Sequence, residues 1–203
     1  MAAEEQKASK GKKEKKLGWK ESLVLYLHDL IYMLMVILLL FLLVFRVIVV
    51  SGDSMKMTLL DGDYLLLLSN TLYHDPEYGD IVVISKKDFD NGSPIVKRVI
   101  ATEGQTVDID FDNGIVYVDG VVLQEDYINN LTTYAEGIPF PLTVEEGCIF
   151  VLGDNRAVSK DSRNPEIGLI DKREVLGNAI FLMFPGTDKG NMPRNFDRVG
   201  AVK

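Results

Sequence analysis

An uninterrupted apolar run near the N-terminus constrains this chain more than any other feature. Residues 30–45 read LIYMLMVILLLFLLVF without a charged side chain, and Arg46 and four more apolar residues follow. As a helix, residues 30–50 would measure about 31 Å, close to the hydrocarbon thickness of a bilayer. The run is apolar on every face, which disfavours a helix buried in a soluble core. We therefore predict a transmembrane anchor helix over residues 19–50, with its core at about 30–50.

A cleaved secretory signal is the main alternative for this run. Such a signal has a shorter apolar core, followed directly by a cleavage site of small residues. Here the run ends in Phe-Arg-Val-Ile-Val-Val, and Ser51 and Gly52 come only later. An uncleaved, single-pass cell-membrane anchor is therefore predicted. By the positive-inside rule, the Lys-rich residues 1–18 would form a cytoplasmic tail, and the chain after the anchor would be extracytoplasmic.

The charge distribution argues against a nucleic-acid partner. The net charge is −8, yet residues 1–20 hold seven lysines and three glutamates, a local charge of +4. The rest of the chain is therefore strongly acidic and would repel phosphate. The basic cluster is better explained by the membrane topology, with the lipid bilayer as the partner.

Metal and thiol chemistry find little support in the sequence. Cys148 is the only cysteine, which excludes an intramolecular disulfide, and its apolar surroundings predict that it packs as a small hydrophobe. The two histidines, His28 and His74, belong to no zinc-binding pattern. We predict no metal and no other cofactor.

After residue 50, short apolar runs alternate with turn signals, which is typical of a mostly β fold. We predict an antiparallel β-rich domain at 51–186, with a less regular β subregion at about 105–147 and a polar C-terminal tail at 187–203. Turn signals around Gly114 and Gly120 mark two hairpins. The predicted strands are Tyr64–Ser69, Asp80–Ser85, Ile95–Glu103, Thr106–Phe111, Gly114–Val118, Val121–Leu123, Cys148–Leu152 and Glu174–Phe184.

A candidate nucleophile, Ser54, follows the apolar run in the sequence Ser-Gly-Asp-Ser-Met. Gly52 permits a tight turn, which can hold a serine near backbone N–H groups that stabilise an oxyanion. The motif alone favours a simple polar turn that leaves the membrane. Catalysis would also require a base that accepts the serine proton.

Histidine and lysine are the candidate bases. His28 would lie on the cytoplasmic side, and a lone loop histidine such as His74 is more often a surface residue. If His74 is a bystander, Lys97 is a candidate, because strand alternation places it on one face with Ile95 and Val99. Burial there would lower its pKa, as a lysine base requires. The strand pattern alone nevertheless favours a snorkelling or salt-bridged lysine.

A dense polar loop, residues 153–163, follows the apolar run that ends at Leu152. A solvated loop explains most of this composition. Alternatively, the loop could hold a buried lysine, with Ser159 accepting a hydrogen bond from its amine and Asp161 pairing with Arg163.

Four segments in order resemble the conserved boxes of type I signal peptidases, in the Gram-positive-like branch. They span most of residues 47–185, behind the anchor, and four boxes in order are a specific signature. The resemblance implies a β-fold shared with self-cleaving repressors. The four segments are SGDSMKMTL at 51–59, YGDIVV at 78–83, VKRVIA at 96–101 with Gly104, and GDN at 153–155 continuing through Ser159, Asp161, Ser162 and Arg163.

The resemblance also implies the site residues of a serine endopeptidase with a Ser–Lys dyad. Ser54 would be the nucleophile, its backbone N–H an oxyanion donor, and Lys97 the general base. Where many relatives add a serine hydroxyl to the oxyanion hole, this chain has Gly52. The supporting roles implied are Ser159 orienting Lys97, Asp161, Arg163 and Asp154 bracing the site, and Met55 lining the substrate groove.

Met57 departs from the family, which usually has proline at this position. Proline would stiffen the turn after the nucleophile, whereas Met57 leaves it freer and restores an N–H donor. This departure bears on which precursors the chain would cleave. One hypothesis is a specialised precursor, for example a pilin-like one.

The implied function is removal of signal peptides from exported precursors with Ala-x-Ala-type cleavage sites, at the outer face of the cytoplasmic membrane. Three alternatives remain to be compared with it. A self-cleaving repressor would carry a DNA-binding helical domain in place of an anchor. An inactive β-domain binding module would have no need of both Ser54 and Lys97. A Ser–His protease would use His74.

Overall fold

The computed structural model describes residues 18–87, 89, 92–187 and 193–202. Its first element is helix α1 (Trp19–Val44), none of whose residues is buried. With a mean hydropathy of 2.6 over an 18-residue window, α1 is long and apolar enough to cross a membrane by length and composition. Contacts divide the chain into two compact units, with the boundary between Phe41 and Leu42. Apart from Gly18, the expected cytoplasmic tail lies outside the described residues.

The predicted anchor helix extends too far toward the C-terminus. Helix α1 ends at Val44, and strand β1 (Phe45–Val49) follows in place of the expected helix up to Val50. The β-branched side chains in this stretch lose rotamer freedom in a helix and fit a strand better. Strand β1 also finds an antiparallel partner in β2 (Tyr64–Ser69), whose backbone groups satisfy its own. Apolar composition is common to both elements, so it could not locate this boundary.

All strand pairs in the described residues are antiparallel, which confirms the predicted mostly β fold class. The larger sheet has the order β1-β2-β11-β3-β4-β9-β10, with β12 on β11, and the smaller sheet has the order β7-β6-β5-β8. The remaining strands are β3 (Ile81–Ile84), β4 (Ile95–Thr102), β5 (Thr106–Asp110), β6 (Ile115–Val118), β7 (Val121–Val122), β8 (Leu142–Thr143), β9 (Cys148–Leu152), β10 (Ile170–Asp171), β11 (Val175–Phe184) and β12 (Gly200–Ala201).

Each predicted strand is present, with ends within one residue of the prediction. The strands that the sequence did not predict are β1 and three of only two residues, β8, β10 and β12. Two residues are too few to show a period of alternation, so their pairing depends on contacts with distant strands. The polar tail includes β12, which pairs with β11.

Strand β4 is the central element for the site. Its neighbours are β3, which places Val82 opposite Lys97, and β9, which places Leu152 opposite Arg98. Both faces of β4 are covered, because its residues from Val96 to Ala101 are all buried. The strand therefore does not alternate between a solvent-exposed and a buried face, and Lys97 is buried together with its neighbours in β4.

Candidate active site

The turn after β1 holds Ser54 in a defined position. Gly52 adopts φ +92°, which favours glycine, and its N–H donates to Asp61 Oδ1 at 2.8 Å. Asn155 fixes the other side of the turn, because its backbone N–H donates to the Ser54 carbonyl at 2.9 Å. Its side-chain amide donates to the Asp53 carbonyl at 3.0 Å. The Gly52 N–H is thus engaged by Asp61, and a backbone role of Gly52 at the oxyanion hole beside Ser54 remains a prediction.

Lys97 reaches this serine from the middle of β4. Its Nζ lies 2.9 Å from Ser54 Oγ, and the residue is only 3% exposed. Burial lowers the pKa of Lys97 to about 8, although the carboxylates of Asp161 and Glu136 oppose this effect. A lysine with such a pKa is neutral often enough near physiological pH to accept a proton.

His74 is exposed in the segment between β2 and β3, whereas the partner of Ser54 Oγ is Lys97. The geometry therefore favours a serine–lysine pair over a serine–histidine pair. Within the described residues, no group of three or more His, Cys, Asp or Glu could hold a metal ion.

The loop of residues 153–163 begins where β9 ends. Its first residue, Gly153, packs against the turn after β1 that holds Ser54. A Cβ at Gly153 would lie 2.2 Å from Ser159 Oγ and 2.6 Å from the Ser54 carbonyl oxygen, so only glycine fits. Ser159 is 2% exposed, and its Oγ donates to the Lys160 carbonyl at 3.4 Å. Ser159 therefore lies beside the site as expected, while the hydrogen bond that would orient Lys97 remains a prediction.

Asp161 and Arg163 form the ion pair expected from the sequence, and both are fully buried. The Arg163 guanidinium donates to both carboxylate oxygens of Asp161, at 2.8 and 2.9 Å. Asp161 also accepts the N–H of Gly153 at 3.1 Å, which ties the end of the loop to its beginning.

Asp154 pairs with Arg98, the residue next to Lys97. The two Arg98–Asp154 hydrogen bonds measure 2.9 and 2.8 Å, and Thr58 also donates to Asp154. The Arg98 guanidinium lies 4.0 Å from the ring centroid of Tyr127, a cation–π contact. Asp154 thus connects β4 to the turn after Ser54.

Three residues of this network were not singled out from the sequence. Asn155 and Arg98 lie inside recognised boxes, where a position beside Ser54 or Lys97 could have indicated them. Arg156 is 1% exposed and pairs with Glu125, which belongs to the segment between β7 and β8. That pairing joins positions far apart in the chain, and no local pattern predicts it.

Met55 and Met57 differ in their surroundings. Met55 is 1% exposed and packs in the hydrophobic core with Leu65 and Val96, so its side chain lies behind the surface rather than on it. Its role in the substrate groove remains a prediction. Met57 is 63% exposed and has φ +97°, an unusual value for a residue with a Cβ.

Two clefts meet at Ser54. The first, of about 530 Å³, is lined by residues 48–50 at the end of β1 and residues 95–97 of β4, and is mainly apolar. The second, of about 670 Å³, is more polar. Its lining includes Lys56, Asn129, Asn130 and Asn155.

The comparison with protein families decides the family of this chain. A family model described as "Signal peptidase, peptidase S26" matches residues 23–184. The chain belongs to this signal peptidase family. It is thus a serine peptidase of the signal peptidase I type, an enzyme class that removes signal peptides.

Individual signal peptidases are similar over most of the chain. A probable signal peptidase I-1 of Synechocystis sp. is 38% identical over 150 residues, which is 70% of this chain and 73% of that protein. Signal peptidase I of Bacillus licheniformis is 36% identical over 180 residues, 85% of this chain and 94% of that protein. A crystal structure of a signal peptidase I from Enterococcus faecalis V583 shares 34% identity, covers 51% of this chain and 96% of its own, and has a TM-score of 0.43.

Proposed function

We propose that this signal peptidase is a membrane-anchored endopeptidase in which Ser54 is the nucleophile and Lys97 the general base. The single observation that carries the proposal is the 2.9 Å contact between Lys97 Nζ and Ser54 Oγ, made by a lysine that is almost fully buried. A serine hydroxyl is activated when a neighbouring base takes its proton, and burial prepares a lysine for that task.

The reaction proceeds in two steps. In the first, neutral Lys97 accepts the Ser54 proton as Oγ bonds to the scissile carbonyl carbon, and the Ser54 N–H stabilises the oxyanion. The resulting ammonium then protonates the leaving amine, the C–N bond breaks and an acyl-enzyme remains. In the second step, Lys97 takes a proton from water as the hydroxide formed bonds to the acyl carbon. The Lys97 ammonium then returns this proton to Ser54 Oγ as the bond between Oγ and the acyl carbon breaks, which restores neutral Lys97 and the free serine.

The two clefts support an extended substrate that crosses Ser54. Residues 48–50 and 95–97 offer a narrow, mainly apolar groove for the small residues of an Ala-x-Ala-type signal. The polar cleft beside Asn129 and Asn130 would then take the residues that follow the cut. The exported precursors would reach the site on the extracytoplasmic side of the cell membrane, with α1 as the anchor and the N-terminus in the cytoplasm.

The test is cleavage of secretory precursors by the full chain in detergent micelles, with cut sites mapped by mass spectrometry. Ser54→Ala and Lys97→Met are each expected to reduce the cleavage rate by roughly 10⁴-fold or more. The matched control is His74→Ala, which is expected to keep the wild-type rate. Full cleavage by Lys97→Met would overturn the dyad, and loss in His74→Ala alone would favour a histidine base.

The precursor range is the finer part of the proposal. Proline fixes φ near −65°, so the φ of +97° at Met57 gives the turn after Ser54 a course that proline cannot follow. This difference supports a specialised precursor range, for example pilin-like substrates. Equal cleavage rates for secretory and pilin-like precursors in the same assay would contradict the specialisation.

A further inference from the structure

Arg163 is fully buried, and many polar groups surround its guanidinium. Besides Asp161, its guanidinium contacts a second carboxylate, Glu136, at 3.2 Å. It also donates to three backbone carbonyls, those of Tyr134, Arg156 and Ser159. Arg163 is thus, together with the Arg156–Glu125 pair, a point where the loop of residues 153–163 and the segment between β7 and β8 are joined.

The segment of residues 134–138 is fastened to Arg163 from both ends. The Tyr134 carbonyl accepts from the guanidinium at 3.1 Å, and the Ile138 N–H donates to the Arg163 carbonyl at 3.1 Å. Between these contacts, the Glu136 side chain is 18% exposed. Its position is therefore set by backbone contacts as well as by its charge.

Four charged groups act on Lys97. Asp161, Glu136 and Asp154 favour its protonated form, and Arg163 disfavours it. Arg98 engages Asp154 through two hydrogen bonds, and Arg163 engages Asp161 in the same way. Each of these two carboxylates thus has its own guanidinium, while Glu136 is a third carboxylate that shares Arg163.

Glu136 interacts with the charges of Asp161, Arg163 and Lys160, and it forms a side-chain hydrogen bond with Asn164. Because Arg163 cannot compensate two carboxylates, the group Asp161–Arg163–Glu136 has a net negative charge when both acids are ionised. Lys97 is 3% exposed, so water screens this charge only weakly.

We propose that Glu136 is a positioning residue of the active site, which holds Arg163 and Asp161 in place and supplies negative charge that raises the pH at which Lys97 becomes a base. The inference rests on the proposed function of Lys97. It assigns a role to a residue outside the four recognised boxes, on a segment that belongs to the smaller sheet's connections.

The primary test is the titration of Lys97 in the full chain, followed by the ¹³Cε resonance of labelled lysine and assigned by its loss in Lys97→Met. Glu136→Gln removes the charge and keeps the shape, so the Lys97 titration is expected to move to lower pH. Glu136→Asp, which keeps a carboxylate, should restore most of the wild-type behaviour. The matched control is Glu166→Gln, because Glu166 is an exposed partner of Lys160 and should leave the titration unmoved.

Kinetics supply a second readout. In Glu136→Gln, the acid limb of kcat/KM should move in the same direction as the resonance, which raises the ratio of activity at about pH 6.5 to that at about pH 9 by roughly two- to tenfold. A purely structural role would lower activity at all pH values and leave the limb in place.

The two readouts separate the possible failures. A Lys97 resonance that titrates identically in wild type and Glu136→Gln, or moves equally in Glu166→Gln, overturns the inference. If the resonance moves but cleavage does not follow it, the role of Lys97 as base is wrong while the electrostatic role of Glu136 stands. If Glu136→Gln does not fold, Glu136→Ala takes its place: a Lys97 titration at lower pH than in wild type supports the inference, and an unchanged one overturns it.

Discussion

At the scale of single residues, the burial of Lys97 carries both a benefit and a cost. A pKa of about 8 makes the neutral amine roughly 300 times more abundant at neutral pH than it is in an exposed lysine. The same shift means that the folded protein holds the ammonium form less readily than the unfolded chain does. Burial of Lys97 therefore favours its proposed role as a base at the expense of stability.

This cost predicts a pH-dependent stabilisation in Lys97→Met. The folded pKa of Lys97 lies below the unfolded value, so the unfolded chain binds more protons between about pH 8 and pH 10.5, and wild-type stability from this group rises with pH there. Below that window the penalty is complete, about 3 kcal/mol. Lys97→Met should raise the free energy of unfolding by about 2–3 kcal/mol at pH 7, with a smaller gain near pH 10.

Denaturant unfolding of both proteins across this pH range measures the effect. Lys160→Met is the matched control, because its side chain is 52% exposed and paired with Glu166. It should show no comparable pH-dependent gain. A Lys97→Met gain that stays constant with pH would show that desolvation of the amine is not its cause.

At the scale of elements, the loop of residues 153–163 packs so closely against the turn that holds Ser54 that no room remains for a side chain at Gly153. A Cβ there would approach Ser159 Oγ and the backbone of Ser54, and the backbone cannot give way cheaply. The loop also carries Asp154 and Asn155, so any displacement would be transmitted to both sides of Ser54.

Gly153→Ala is therefore expected to lower kcat/KM by about 100-fold, since displacements of about 1 Å in an active site have effects of this order. The control is Gly200→Ala in β12, where an added Cβ has no atom within 4 Å. Cleavage rates of the two variants, with near-UV circular dichroism to verify folding, give the comparison. Wild-type activity in Gly153→Ala would mean that the loop and the turn are not tightly coupled.

At the scale of the whole β-rich unit, the C-terminal tail is fastened to the turn that follows Ser54. Arg198 donates to both carboxylate oxygens of the fully buried Asp63, at 2.9 and 2.7 Å, and to the Thr58 carbonyl at 3.1 Å. Asp63 also accepts the backbone N–H groups of Leu60 and Gly186. One carboxylate thus connects the turn, the residues after β11 and the tail.

Arg198→Ala would leave Asp63 buried without its cationic partner, and we expect the free energy of unfolding to fall by about 3 kcal/mol. Arg173→Ala removes a comparable ion pair with Asp171, but the Arg173 side chain is 90% exposed, so water screens the pair and the loss should be much smaller. Thermal and denaturant unfolding of both variants measure this difference. Equal losses in the two variants would mean that the tail does not stabilise the unit through Asp63.

Local patterns in the sequence were enough to predict the strands and the presence of the helix. The strand bounds follow from short apolar runs between turn residues, and the helix follows from its length and all-round apolarity. Ser54 and Lys97 were predicted as nucleophile and base through boxes that resemble a known family. The strand pattern alone favoured a snorkelling or salt-bridged role for Lys97. Alternation shows which residues share a face of β4, but it does not show whether both faces are covered.

The end of the helix, the burial of Lys97 and the long-range ion pairs became visible in the folded structure, because each depends on contacts between distant residues. The end of α1 at Val44 requires the pairing of β1 with β2, and the burial of Lys97 requires β3, β9 and the core on both faces of β4. The contacts of Arg163 with Glu136 and of Arg198 with Asp63 join residues separated by many positions. Such pairs leave no periodic signal in the sequence, since each is created by the folded chain that brings the two charges together.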